Sequence, residues 1–184
     1  MQIIQTETLA GFTAEIVKDN LAESPRDINE ELGTLALIPH PDRRVGKLGD
    51  EHPFKTMAEI WAHIKATRAA KISVYVRADW NPEVSTIPGR GLHLGYIFCP
   101  AEKVKEEYGE GPEAAKAARR YMRGEVEEYG LFLQGEVYGY RIFDPAGEEI
   151  DSCWGFYGLE YITQEVRREL LSEVERAPKV PAAA

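Results

Sequence analysis

The run Leu32-Gly33-Thr34-Leu35-Ala36-Leu37-Ile38 is apolar at odd and even positions alike. A strand with one buried face alternates apolar and polar residues, so a run of this kind needs cover on both faces. It reads as a central strand with one layer of structure above it and another below. The segments that bound it differ in character from it, and the one that follows is an irregular loop. Asn20 to Glu31 is polar and contains Pro25, and Pro39, Pro41, Gly46 and Gly49 combine fixed and unusually free backbone angles within a short span. No regular ladder or helix survives that combination.

The rest of the chain supplies the covering layers. Gly11 to Asp19 alternates Phe12, Ala14 and Ile16 with polar positions and predicts the first strand, although Val17 blurs its polar face. Ile72, Val74 and Val76 alternate with Ser73, Tyr75 and Arg77, and Leu92 to Cys99 follows the turn-rich segment Asn81 to Gly91, so these two strands are expected to pair. Thr56-Met57-Ala58-Glu59 has the form of a capping box, opening a helix that buries Met57, Ile60, Trp61 and Ile64. Pro100 opens a short helix that closes at Gly109. Gly111-Pro112 opens a longer one with Ala115, Ala118, Met122, Val126, Tyr129 and Leu133 at helical spacing, ending at Gly135 and kinked by Gly124 and Gly130. A hairpin is expected from Gly135–Phe143 and Glu149–Trp154 around Asp144-Pro145-Ala146-Gly147. Leu159, Ile162, Val166, Leu170 and Val174 line a last helix. Strands and helices mix without βαβ alternation, which favours an α+β fold. The expectation is one domain over residues 1–177, a mainly antiparallel sheet of five to six strands packed by three to four helices, and a flexible tail over residues 178–184.

The formal charge is −9, which argues against nucleic acid as a general partner, because phosphate binding depends on Lys and Arg displacing counterions. The acid is uneven. Residues 135–177 hold ten acidic and four basic groups, whereas residues 56–100 hold three and five. The acidity either keeps a small protein soluble or presents a negative face to a basic partner. Cys99 and Cys153 lack CxxC spacing, the first residues lack a signal-peptide pattern, and no apolar run reaches membrane-spanning length. The chain is therefore expected in the cytoplasm, with no membrane contact, no cofactor and both thiols buried.

Two polar clusters exceed what a core requires. The first comprises Glu23, Ser24 and Arg26, then His40, Asp42, Arg43 and Arg44, then Asp50, Glu51 and His52, all on loops beside the apolar strand. His40, Asp50, Glu51 and His52 include the atom types a divalent metal takes, although their spacing matches no ligand motif. Arg26 can instead pair with Glu23 or Asp50 and hold the loop. The second cluster is Asp151-Ser152-Cys153-Trp154, where a nucleophile would need a base and an oxyanion hole that no flanking motif supplies. Core packing by Trp154, Phe156 and Tyr157 is the better reading. Between the clusters lie Arg68, Lys71, Arg77, Trp80, Arg90 and His93, a weakly basic surface.

Glu23-Ser-Pro-Arg26, Leu32-Gly-Thr34, Arg43-Arg44, Leu48-Gly-Asp-Glu51, Gly124-Glu-Val126, Gly135-Glu-Val-Tyr-Gly139 and Asp151-Ser-Cys-Trp-Gly-Phe-Tyr157 together resemble an uncharacterised family of small bacteriophage and prophage proteins. The resemblance runs from about Glu23 to Glu165 and implies a setting among non-structural phage or mobile-element genes, in the host cytoplasm, with no activity attached. With it, the sequence leads to a protein that occupies a host protein, an inhibitor of a nucleic-acid-targeting defence system of anti-CRISPR or anti-restriction type. Binding candidates are Glu23, Arg26, His40, Arg43, Arg44, Asp50, Glu51, Asp151 and Trp154. The alternatives are a metal-dependent hydrolase of nucleotides or nucleic acid using His40, Asp50, Glu51 and His52, and a small-molecule sponge whose apolar pocket is bordered by the arginines.

Overall fold

A computed structural model describes residues 2–177; the tail expected from Pro178 lies outside them. The described residues form strands β1 (Ile3–Leu9), β2 (Phe12–Lys18), β3 (Thr34–Leu37), β4 (Ala70–Arg77), β5 (Glu83–Ser85), β6 (Leu92–Cys99), β7 (Val137–Phe143) and β8 (Glu149–Tyr157). Five helices accompany them: α1 (Pro25–Ile28), α2 (Met57–Ala66), α3 (Ala101–Tyr108), α4 (Pro112–Leu133) and α5 (Leu159–Arg176). The class is α+β and every strand pairing is antiparallel. In place of one sheet of five or six strands there are two sheets of four, ordered β1-β2-β7-β8 and β3-β6-β4-β5. Each belongs to its own compact unit, one drawn from residues 1–22 and 135–184 and the other from residues 23–134.

In the unit of residues 23–134 the sheet is covered on both faces. Leu35, Leu37, Val74 and Ile97 pack with Ala118, Met122 and Val126 of α4 and with Val104 of α3. On the opposite face Ala36 and Phe98 meet Ile60 and Ile64 of α2. Leu35 and Ile97 are wholly buried, and each such side chain contributes about 1.5–3 kcal/mol relative to exposure. This double cover explains the doubly apolar run. Its central placement, however, is corrected, because β3 ends the strand order. Burial of both faces says nothing about how many strands lie beside a ladder. Trp61, expected inside, is more than a third exposed and rests against Tyr96 with Lys71 over its ring. α4 runs as one uninterrupted helix through Gly124 and Gly130.

The unit of residues 1–22 and 135–184 lays α5 across one face of its sheet, where Ile162, Val166 and Leu170 meet Ala14, Ile16, Tyr140 and Ile142. β1 escapes detection in the sequence because it is an edge strand with no buried residue. It turns into β2 through Ala10 and Gly11, both at positive φ (50° and 89°), the pairing that lets a two-residue turn follow the twist of the strands. β7 and β8 form the expected hairpin, in which Asp144 accepts from Ala146 N and Glu148 N and its carbonyl accepts from Gly147 N.

Candidate functional site

The first polar cluster assembles around Arg26. Ser24 caps α1 by accepting from Arg26 N at 3.2 Å, Pro25 sits at the first helical position, and the Arg26 side chain is thrown inward until it is 4% exposed. Its guanidinium grips Asp50 with two parallel bonds, Nε to Oδ1 at 2.8 Å and Nη2 to Oδ2 at 2.6 Å. Nη2 also donates to the Gly33 carbonyl at 2.7 Å, and Nη1 lies 3.1 Å from Glu31 and 3.4 Å from Glu125. Such planar forks suit a buried carboxylate better than a point charge does.

The purpose of the cluster is read from the backbone of β3. Ile38 N donates to Leu94 O on β6, so even-numbered residues of this antiparallel edge turn toward β6 and odd-numbered ones turn outward. The outward groups are taken by side chains and by loop backbone. Gly33 N donates to Glu125, and Gly33 O accepts from Arg26. Leu35 N donates to Asp50 Oδ2 at 2.8 Å, and Leu35 O accepts from Asp50 N at 2.9 Å. Leu37 O accepts from His52 Nε2 at 3.0 Å. That bond places the imidazole hydrogen on Nε2 and leaves buried Nδ1 without a partner among the described residues. An edge strand otherwise offers a ladder to any other chain. Gly49, at φ 75°, brings Asp50 against this edge, and a Cβ there would lie 2.5 Å from Leu35 O. Gly49 N donates to the Tyr129 hydroxyl at 3.1 Å.

The electrostatics close around the same point. Burial pushes the Glu31 carboxyl up to about 8, helped by its hydrogen bond to Glu125 and the charges of Glu125 and Glu128 and opposed by Arg26. Burial likewise raises Glu128, with Glu125 adding to the rise. That rise favours the protonated form of Glu31, hydrogen-bonded to Glu125 beside the Arg26 guanidinium. Glu31, Glu125 and Glu128 line an open cavity of ≈ 680 Å³ with Tyr108, Arg120 and Tyr121. That lining is carboxylate-rich, unlike the arginine-bordered apolar pocket a sponge requires.

The remaining candidates of this unit lie elsewhere on its loops. Asp42 caps the short 3-10 turn Arg43–Val45 and ion-pairs with exposed Arg44, whose side chain and backbone hydrogen bonds hold the Asp42 carboxyl down at about 2. His40 Nδ1 accepts from Asp42 N, Glu51 is exposed and pairs with Lys47, and Glu23 and Arg43 are exposed. The four suggested metal donors therefore each serve another partner. No three His, Cys, Asp or Glu among the described residues are placed to hold a metal ion. Glu31 and Glu125 were missed as members of the cluster. The available signal was Glu125 itself, an acid inside the apolar stripe Ala118, Met122, Val126 and Tyr129 of α4, where a charge demands a partner.

The second cluster is built otherwise. Asp19 N donates to Val137 O, while Gly158 N donates to Glu136 O and Asp144 N to Glu148 O, so even-numbered residues of β7 turn toward β8. They stand opposite Asp151, Cys153 and Phe156, which leaves Ser152, between the regularly paired Asp151 and Cys153, with backbone groups directed away from the sheet. Glu149 to Gly155 are all exposed. Burial of Cys153 and core packing of Trp154 are thus corrected: the thiol is exposed and the indole is 41% exposed. A register shift opposite Tyr138/Tyr140, with Gly155 at φ 84°, breaks the alternation that the sequence suggests. The Trp154 ring instead lies over Gly139, in the space a Cβ would take. Asp151 accepts from the Tyr140 hydroxyl at 3.0 Å, and no histidine occurs in this unit to activate Ser152 or Cys153.

Charge also separates the two units. Residues 1–22 and 135–184 carry 13 acidic and 6 basic groups, and residues 23–134 carry 18 and 16. In the more acidic unit every described Lys and Arg is already ion-paired: Lys18, Arg141, Arg167, Arg168 and Arg176. Glu148, Asp151, Glu160 and Glu175 have no cation among the described residues. No family model, curated protein or solved structure matches this chain.

Proposed function

We propose that this chain is a phage or mobile-element protein that binds and occupies a host protein, and that its acidic unit is the part that meets the partner. The observation that carries this reading is the charge distribution: surplus acid collects in one unit whose described cations are all engaged, while the dense charged motifs of the other unit are committed to its own backbone. A surface of one sign steers and orients a partner of the other sign. A nucleic-acid-targeting defence enzyme of anti-CRISPR or anti-restriction type, with a basic channel, has the complementary chemistry, and such an inhibitor works in the host cytoplasm.

The test is capture from host lysate, followed by reconstitution with the purified partner. Affinity for that partner should fall roughly tenfold or more when Glu160, Glu169 and Glu175 are replaced by Lys, and should weaken steeply with added salt. An undiminished affinity in the reversed variant, or recovery of no partner by the parent chain, contradicts the proposal.

A further inference from the structure

We infer that the partner is engaged by strand addition: an extended segment rich in Lys or Arg pairs with the outer edge of β8. This deepens the proposed function and rests on it for the identity of the partner, but not for the pairing. β8 is nine residues long and terminates its sheet. Ser152, between the regularly paired Asp151 and Cys153, directs its N–H and C=O outward. Edge strands are ordinarily blunted by lysine, proline, bulges or a covering element. β8 contains no lysine, arginine or proline. Its two register shifts fall at Ile150 and at Trp154–Gly155, leaving Asp151 to Cys153 regularly paired between them.

Charge selects the occupant. Glu148, Glu149 and Asp151 lie along the strand and its turn, and no Lys or Arg occurs between Glu148 and Gly158. Among the described residues, only Glu149 of these three has a cation, Arg141. A second copy of this chain would bring together two units that each hold 13 acidic against 6 basic groups, and like charges oppose that approach. A basic segment is drawn by the same field. Ile150 and Trp154, both more than 40% exposed, offer apolar contacts to its alternate side chains, as strand addition requires. β1, the other edge of this sheet, lacks the charge: its one acid, Glu7, is already held by Arg167.

The experiment is amide NMR of the full chain titrated with a short peptide of alternating lysine and valine, against its glutamate–valine counterpart. The lysine peptide should shift the amides of Ile150, Ser152 and Trp154 and protect that of Ser152, and the glutamate peptide should not. Ser152→Pro, which removes an outward N–H, should weaken binding by roughly tenfold or more, and Asp151→Lys should abolish the preference between peptides. Unchanged thermal unfolding of both variants separates lost pairing from lost folding. Shifts confined to β1 or α5, equal response to both peptides, or the same amides shifting with protein concentration alone would overturn the inference, the last by naming a second copy as the occupant. Failure of the peptide arm while the reconstituted partner still responds to charge reversal on α5 rejects strand addition and leaves the binding function standing.

Discussion

The outer edges of β3 and β8 present the same physical problem, a row of backbone donors and acceptors with no neighbouring strand, and this chain treats them in opposite ways. At β3 a buried arginine, two carboxylates and an imidazole take the outward groups of Gly33, Leu35 and Leu37. At β8 the outward groups of Ser152 have no neighbouring strand, in a strand exposed over most of its length. Charge follows the same division. In the unit of residues 23–134 it is drawn inside and used to complete a ladder, and in the other unit it is left in excess outside. A polar motif dense enough to resemble an active centre thereby completes a ladder, and a plain exposed strand is the surface we propose for recognition.

Removing the centre of the β3 seal should have the largest effect. Arg26→Met leaves buried Glu125 and half-buried Asp50 without a cation and Gly33 O without a donor, and should cost about 3–5 kcal/mol of stability by chemical denaturation. A loss below about 1 kcal/mol would mean the network is dispensable to the fold.

The protonated Glu31 gives the seal a pH signature. Its folded-state value of about 8 lies above the ordinary 4.5, so between those values the folded chain holds a proton that the unfolded chain releases. The stabilisation is complete below about 4.5 and is lost as pH rises through about 8. The melting temperature should fall by several degrees across that window, and Glu31→Gln should flatten the profile. A parallel slope in parent and variant would remove Glu31 from the account.

The smallest effects distinguish the two sides of β8. Cys153→Pro deletes a donor directed at β7 and should cost about 1–3 kcal/mol. Ser152→Pro deletes one directed at solvent and should cost less than about 1 kcal/mol, because proline is tolerated where an edge N–H faces water. Equal costs would mean the outward assignment of Ser152 is wrong.

Much of this was legible in the residues. Apolar periodicity located β2, β4, β6 and α5, the turn Asp144-Pro145-Ala146-Gly147 located the hairpin of β7 and β8, and the capping and Pro/Gly signals located α2, α3 and α4, because each depends on spacing within one segment. β1 and β5 were invisible for the complementary reason, one being exposed throughout and the other three residues long inside a turn-rich stretch. Leu32 to Ile38 declared a strand apolar on both faces but could not declare its neighbours, so its edge position emerged only with the sheet order. Within the site, the Arg26–Asp50 pair was among the readings the sequence allowed. Glu31 and Glu125 were not, since their meeting joins residues far apart in the chain. Trp154 was misplaced by a bulge, which shifts inward and outward positions with no mark in the apolar pattern beyond Gly155.

The most direct test of the unequal edges is amide hydrogen exchange in the intact chain. The account predicts strong protection of Gly33 and Leu35, whose N–H groups are held by Glu125 and Asp50, and fast exchange of Ser152. Comparable protection at the two edges, or fast exchange at Leu35, would contradict it.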